Sequence, residues 1–149
     1  MFLKVVTSAS PCRSEYTPDR GSGWEKVAQS PAANTSGLAT LRSMENGETT
    51  AAAAARETLE EAGARIELGA PFSLISVPYV NQVHLFYRAR LLDLDFKAGE
   101  ESLEVALCEE AAIPWKEIAF RTVAATLRHW FADRVRGVFG FHAEDILSR

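Results

Sequence analysis

The sequence predicts an α/β fold, an α/β/α sandwich around a mixed β-sheet, on three observations. The run from Thr50 to Ala62 consists largely of strong helix formers. Gln82 to Leu92 alternates apolar and polar residues with the period of a strand. Phe120, Val123, Leu127, Trp130 and Phe131 recur at the spacing of one apolar helical stripe. Because these elements do not follow a regular βαβ order, a mixed sheet with helices packed on it is the architecture they imply.

At 149 residues the chain fits one domain and can bury a sizeable core. Its 47% apolar and 24% charged residues are those of an ordinary globular protein. A net charge of −4 argues against a basic nucleic-acid footprint. It still allows an acidic site that recruits cations to process anionic substrates. Cys12 and Cys108 are far apart and form no C-x-x-C pair, so neither a disulfide framework nor a zinc site is written here. Met1 to Cys12 is too short for a signal-peptide core, and no stretch approaches a membrane span. The expectation is a cytoplasmic protein with no membrane and no nucleic-acid partner.

Taken in order, Phe2 to Thr7 reads as an opening β-strand. Pro11, Pro18, Gly21 and Gly23 among Ser, Thr and Asp make residues 8–23 loop-like. Segment 1–23 is thus a poorly defined N-terminal piece before a domain at 24–149. Trp24 to Gln29 is a short strand candidate, ended by Pro31 and the polar run up to Gly37. Apolar alternation is poor in this third of the chain, as an altered or frame-shifted N-terminus would leave it.

In the Thr50–Ala62 helix, Thr49 or Thr50 serves as N-cap and Gly63 stands where a left-handed residue ends a helix. Glu57, Glu60 and Glu61 fall on one side; Ala51, Ala55, Leu59 and Ala62 fall on the other, where small side chains let a sheet come close. Like charges at this spacing cost roughly 0.2–0.5 kcal/mol per pair. A hard divalent cation is the simplest compensation; a solvated acidic face is the plain alternative. Arg56 can pair with Glu48 or Glu60.

Arg65 to Leu68 alternates, Gly69 and Pro71 make a turn, Phe72 to Val77 reads as a mostly buried strand, and Pro78 ends it. Within Gln82–Leu92, Val83, Leu85, Tyr87, Ala89 and Leu91 share one face and His84, Phe86, Arg88 and Arg90 the other. Asp93 to Ser102 is an acidic loop, and Leu103 to Leu107 returns to strand character. Trp115 to Ala119 starts the last element, whose apolar stripe should pack on the sheet. His84, His129 and His142 are isolated in sequence and read as ordinary residues. The tail from Val135, with Phe139 and Phe141 among glycines, covers a sheet edge or a neighbouring subunit.

From Glu48 to Ala64 the chain reads E-T-T-A-A-A-A-A-R-E-T-L-E-E-A-G-A. This resembles the Nudix box, G-x5-E-x7-R-E-U-x-E-E-x-G-U with U aliphatic, in which Glu48, Arg56, Glu57, Glu60, Glu61 and Gly63 match without a gap. With each residue type at about 6–7% of average composition, six such matches arise by chance on the order of once per hundred thousand chains of this length. The box's leading glycine falls at position 42, where this chain has Arg42, and the aliphatic slots hold Thr58 and Ala64. Relatives carry a segment like G-L-W-T-L-P-A-G-F-M-E-N-G-E. Gly37 to Glu48 is shorter here and lacks its proline, its glycine turn and the aromatic near Ala39.

The resemblance covers about residues 24–134, with the box at 42–64, and implies a Nudix-type sandwich. It implies a pyrophosphohydrolase of the ADP-ribose or NADH branch, dependent on Mg²⁺ or Mn²⁺, acting on a small-molecule nucleotide diphosphate substrate by water attack. Glu57, Glu60 and Glu61 become the metal ligands, and Arg56 and Glu48 hold the carboxylates in place. Glu104, ahead of Ile113-Pro114-Trp115, maps onto a distal metal-site glutamate, with Glu101 as runner-up. Glu104 or a box glutamate accepts the water proton. Arg88 or Arg90 can meet a substrate phosphate or can simply face solvent. A homodimer is a further expectation. Arg42 opens an alternative, a nucleotide- or metal-binding protein of the same fold that does not turn over; a third reading is an interaction domain whose acidic helix is only a surface.

Overall fold

A computed structural model describes residues 2–7, 36–93, 95–97, 102–108, 110–116 and 118–148. Among them the elements run β1 (Phe2–Thr7), β2 (Ser36–Leu41), α1 (Thr50–Ala62), β3 (Ile66–Val77), β4 (Gln82–Leu91), β5 (Ser102–Cys108), α2 (Arg121–Arg136) and β6 (His142–Asp145). Strands β2-β4-β3-β6 form one sheet. It is mixed, because β4 runs antiparallel to both neighbours while β6 joins β3 in parallel. Strands β1 and β5 form a separate antiparallel pair. The opening strand is thus present, while the Trp24–Gln29 strand and the 8–23 loop lie outside the described residues. No helix among the described residues is long and apolar enough to cross a membrane.

The layering follows from the pleat of β4, where successive side chains point to opposite faces. Tyr87 packs with Ala39, Leu41, Ala53 and Ala54, so its face lies under α1. Phe86 packs with Ile75, Ala125 and Ile146, so the other face lies under α2. Both aromatic side chains are buried. The face of His84, Phe86, Arg88 and Arg90 is therefore a second core face. The α2 layer continues through Phe72, Ile113, Leu127, Trp130 and Phe131, and a buried hydrogen bond of 2.8 Å joins Ser73 to Thr126. The result is the α/β/α sandwich expected.

Four local readings are corrected. Gly69 and Pro71 make no turn; β3 runs unbroken from Ile66 to Val77. The register moves from Leu68↔Ala89 to Pro71↔Tyr87 to Ser73↔Phe86, so residues bulge out of β3 at the proline. A bulge is where a strand tolerates a residue without an N–H donor. A Cβ on Gly69 would stand 3.2 Å from the Arg88 carbonyl oxygen. On α1 the buried residues are Ala53, Ala54, Glu57 and Ala62, while Leu59, placed inward from sequence, is exposed. The close approach of β2 selects two alanines as the contact and leaves Leu59 outside. The last helix starts at Arg121 and not at Trp115–Ala119; Phe120 takes the N-cap position and is exposed, and the stripe begins at Val123.

The tail covers the sheet edge, as β6 pairs along β3 from Ser73↔His142 to Ser76↔Asp145. Its anchor is Asp133 of α2, a buried carboxylate that accepts from the Gly140 N–H at 3.0 Å and contacts His142 Nε2 at 2.7 Å. Burial raises the Asp133 pKa, but the His142 hydrogen bond, the Gly140 N–H and the charges of His142 and Arg136 outweigh it and hold the pKa below its ordinary value. His142 stacks on His129, ring centroids 4.2 Å apart. Two of the histidines that look isolated in sequence, His129 through Glu144 and His142 through Asp133, thus fasten the C-terminal strand to α2.

Candidate active site

Helix α1 is fixed at both ends. Thr49 is its N-cap and accepts from the Ala52 N–H at 3.1 Å. Thr50 Oγ1 and Tyr87 Oη, 2.6 Å apart, tie the first turn to β4. Gly63 ends the helix with φ +56°, as its position predicts. A Cβ on it would lie 3.1 Å from the Lys97 carbonyl oxygen, so this glycine also makes room for a neighbouring segment.

The carboxylates of α1 meet the loop that leaves β2. Glu57 is 7% exposed. Its Oε2 accepts the Arg42 N–H at 2.9 Å. Its Oε1 accepts the Ser43 N–H at 2.8 Å and the Ser43 hydroxyl at 2.7 Å. A buried carboxylate is expensive unless its oxygens are hydrogen-bonded, and three donors meet that need while fixing one rotamer. The shortened loop thus still delivers backbone N–H groups to Glu57. Among the described residues, Asn81 is the non-glycine with positive φ, so position 42 makes no left-handed demand that Arg42 must meet under strain. The turn into α1 instead uses Gly47 at φ +81° and a reciprocal pair: the Glu48 N–H donates to Glu45 O at 3.1 Å and the Glu45 N–H to Glu48 Oε2 at 3.0 Å.

Arg56 braces the outer carboxylates. Its Nε and Nη2 each lie 3.0 Å from a different oxygen of Glu48, and Nη1 lies 2.9 Å from Glu60 Oε2. Both pairings expected from sequence are therefore made at once. The Arg56 hydrogen bond, then the Glu45 N–H, holds the Glu48 carboxyl below its ordinary pKa. Arg56 is pushed further above its own, first by Glu48. Arg42 sends its guanidinium to Glu61 Oε1. Each of the four box glutamates thus meets a cation or a backbone donor.

The donor set of Glu57, Glu60 and Glu61 has the chemistry a hard divalent cation requires, three carboxylates on adjacent turns of one rigid helix. Their orientations commit them to Arg42, Ser43 and Arg56, and no three His, Cys, Asp or Glu side chains among the described residues are arranged to hold a metal ion. The residues fit the ion by chemistry, with rotamer changes at Glu60 and Glu61.

Of the other sequence candidates, the two β4 arginines lie apart from this cluster. Glu104 has its backbone in β5 opposite Val6, and Glu101 lies outside the described residues. Arg88 and Arg90 share the parity of Phe86 on β4, the face turned away from α1. The Arg88 guanidinium lies 3.9 Å from the centroid of the Phe139 ring, and Arg90 pairs with Glu67. The structure does not bring them to the box. Sequence reasoning missed Ser43 and the Thr50–Tyr87 tie. Residues 42–47 have no period to read, and the one sign of Ser43 is a hydroxyl residue next to the box's first position.

The crystal structure of a NUDIX hydrolase from Nitrosomonas europaea is similar to this chain: 41% identical, with 76% of this chain and 73% of that chain covered and a TM-score of 0.70. No protein-family model and no curated protein matches the chain.

Proposed function

This chain belongs to the Nudix hydrolase family, and on that premise we propose that it hydrolyses a nucleoside diphosphate linked to another moiety, of the ADP-ribose or dinucleotide class, with Mg²⁺ or Mn²⁺. The observation that carries the reading is Glu57, buried and held by three donors of the Arg42–Ser43 loop, at the centre of a carboxylate series braced by Arg56.

Glu57, Glu60 and Glu61 would hold the cation, with Glu104 as a further ligand. When bound, such a cation neutralises phosphate oxygens and lowers the pKa of coordinated water. The chain's own contribution is orientation. Ser43 and the Arg42 N–H keep Glu57 in one rotamer, and Arg56 keeps Glu48 and Glu60 aligned. Glu104 or a box glutamate accepts the proton of the attacking water, since a base must lie within hydrogen-bond reach of it. Arg88 and Arg90 meet a phosphate only by leaving Phe139 and Glu67. A hydrolase domain spanning 24–149, a cytoplasmic location and a homodimer complete the proposal.

The Arg42–Glu61 pair favours a second reading, a Nudix-fold protein that binds nucleotide or metal without turnover. AMP release from ADP-ribose separates the two, measured with Mg²⁺ or Mn²⁺, then with chelator, beside Glu61→Gln. Metal-dependent release that disappears in the variant supports hydrolysis. A folded, cation-binding protein that releases nothing from ADP-ribose, NADH or a nucleotide panel supports the second reading.

A further inference from the structure

Arg42 makes two separable contributions to the carboxylate cluster. Its backbone N–H holds Glu57, which any residue except proline can do. Its guanidinium holds Glu61, which needs a long cationic side chain. The two arginines of the site differ in how firmly they are seated. Arg56 makes a two-pronged contact with Glu48, adds Glu60, and is 25% exposed. Arg42 meets Glu61 through one nitrogen and is 41% exposed, beside a partner that is 24% exposed. Arg56 is a brace; Arg42 sits on the outer side of the cluster with water available to its guanidinium.

We propose that the Arg42 guanidinium competes with the divalent cation for Glu61, so that cation binding is an exchange in which this side chain must leave. The inference rests on the metal-hydrolase reading of the box, and it concerns the box position where the expected glycine has been replaced by a cation. Before exchange, Arg42 offsets the like-charge repulsion within the helix. After exchange, its positive charge remains tethered nearby. The consequence is a site with weakened affinity for divalent ions, tuned by a side chain outside the ligand set.

The test is Mn²⁺ binding to the chelator-treated protein, read from the loss of the free-ion electron paramagnetic resonance signal, for the parent chain, Arg42→Met, Arg42→Lys and Glu61→Gln. Arg42→Met keeps the apolar stem and the backbone N–H, and circular dichroism checks each fold. An exposed ion pair alone accounts for about a two- to fivefold competition. Removing a fixed cation from beside a dication adds to it, so Arg42→Met should bind Mn²⁺ about three- to tenfold more tightly, with the gap closing as salt is raised. Arg42→Lys should stay near the parent and Glu61→Gln should bind weakly. In parallel, the Arg42 Nε–H resonance should move during Mg²⁺ titration with the midpoint of binding. Equal or weaker binding by Arg42→Met, with Glu61→Gln still impaired, overturns the competition and leaves the metal site standing. Binding absent from all forms, or unchanged by Glu61→Gln, removes the metal site and the competition with it.

Discussion

Replacing Glu57 by glutamine keeps the side chain's shape and removes its charge, and the structure says what that costs. Glu57 Oε2 takes one donor, the Arg42 N–H, while Oε1 takes two, the Ser43 N–H and hydroxyl. Whichever way the amide is turned, its NH₂ group faces a backbone N–H that cannot reverse. If NH₂ replaces Oε2, the Arg42 N–H is orphaned; if it replaces Oε1, the Ser43 N–H is orphaned and only the hydroxyl can rotate to accept. One hydrogen bond to a charged group is lost, worth about 1.5–3 kcal/mol. The surviving bonds become neutral ones of roughly half the strength. Allowing for partial exposure of the loop, the net destabilisation is about 2–3 kcal/mol.

For a chain of this size each kcal/mol moves the melting temperature by about 2–4 °C, so a drop of about 5–10 °C is expected. Ser43→Ala removes a single donor and should cost about 1 kcal/mol. Within the Glu57→Gln background that cost should shrink, because the strong acceptor is already gone. Urea unfolding of the four forms closes the cycle. Additive effects, or a Glu57→Gln protein as stable as the parent, would refute the claim that loop and carboxylate form one unit. The arithmetic also ranks the activity variants: Glu57→Gln confounds chemistry with loop order, whereas Glu61, partly exposed and paired with the Arg42 guanidinium, reports on cation binding more cleanly.

Four further outcomes follow from the same geometry. Arg56→Lys loses the two-pronged hold on Glu48 and should lower kcat/KM by about 10- to 100-fold with the fold retained, as loss of a group that orients metal ligands does; an unchanged rate would make Arg56 a surface ion pair only. Gly63→Ala forces a side chain into the left-handed region against Lys97 and should cost about 1–2 kcal/mol in urea unfolding. Asp133→Asn should be less stable than the parent at neutral pH. Because the folded pKa of Asp133 lies below its ordinary value of about 3.9, that difference is complete above about pH 4 and vanishes as pH falls through the folded pKa; a gap that does not narrow as the pH is lowered from there would mean that the charge is not its source. Burial, then the charge of Arg42, pushes His84 below its ordinary pKa of about 6.5, so its stabilising neutral form is complete above that pH and penalised as pH falls toward the folded pKa. In Arg42→Met the imidazole titration followed by NMR should move upward.

Much of the fold was legible because two periods carry it. Thr50–Ala62 has the composition and both caps of a helix, and Gln82–Leu91 has the alternation of a strand with two covered faces. What stayed hidden depends on distant partners. Gly69 and Pro71 are turn formers in isolation, and only pairing with β4 turns them into a bulge in one long strand. Leu59 is the largest apolar residue of its helix, yet the close approach of β2 selects Ala53 and Ala54. In the candidate site, the spacing of Glu48, Arg56, Glu57, Glu60 and Glu61 was readable because a helix converts sequence interval into direction. Ser43 was not, because a loop has no such rule, and its hydroxyl matters only through a carboxylate fourteen residues away.

Arg42 shows why a departure from a pattern has to be resolved atom by atom. The reason for glycine at that box position is backbone freedom and close approach, so an arginine there reads as damage to the loop. The structure separates the two effects. Arg42 adopts no positive φ, and its N–H reaches Glu57 as the loop requires. Only its charge is out of place. The consequence is that restoring the glycine should do no more for cation affinity than removing the charge. Arg42→Gly and Arg42→Met should bind Mn²⁺ equally well, both more tightly than the parent. In addition, Arg42→Gly should be slightly less stable, because the freer unfolded chain costs about 0.5–1 kcal/mol. If Arg42→Gly gains affinity and Arg42→Met does not, the loop backbone limits the site after all, and the placement of the Arg42 N–H on Glu57 is the step that fails.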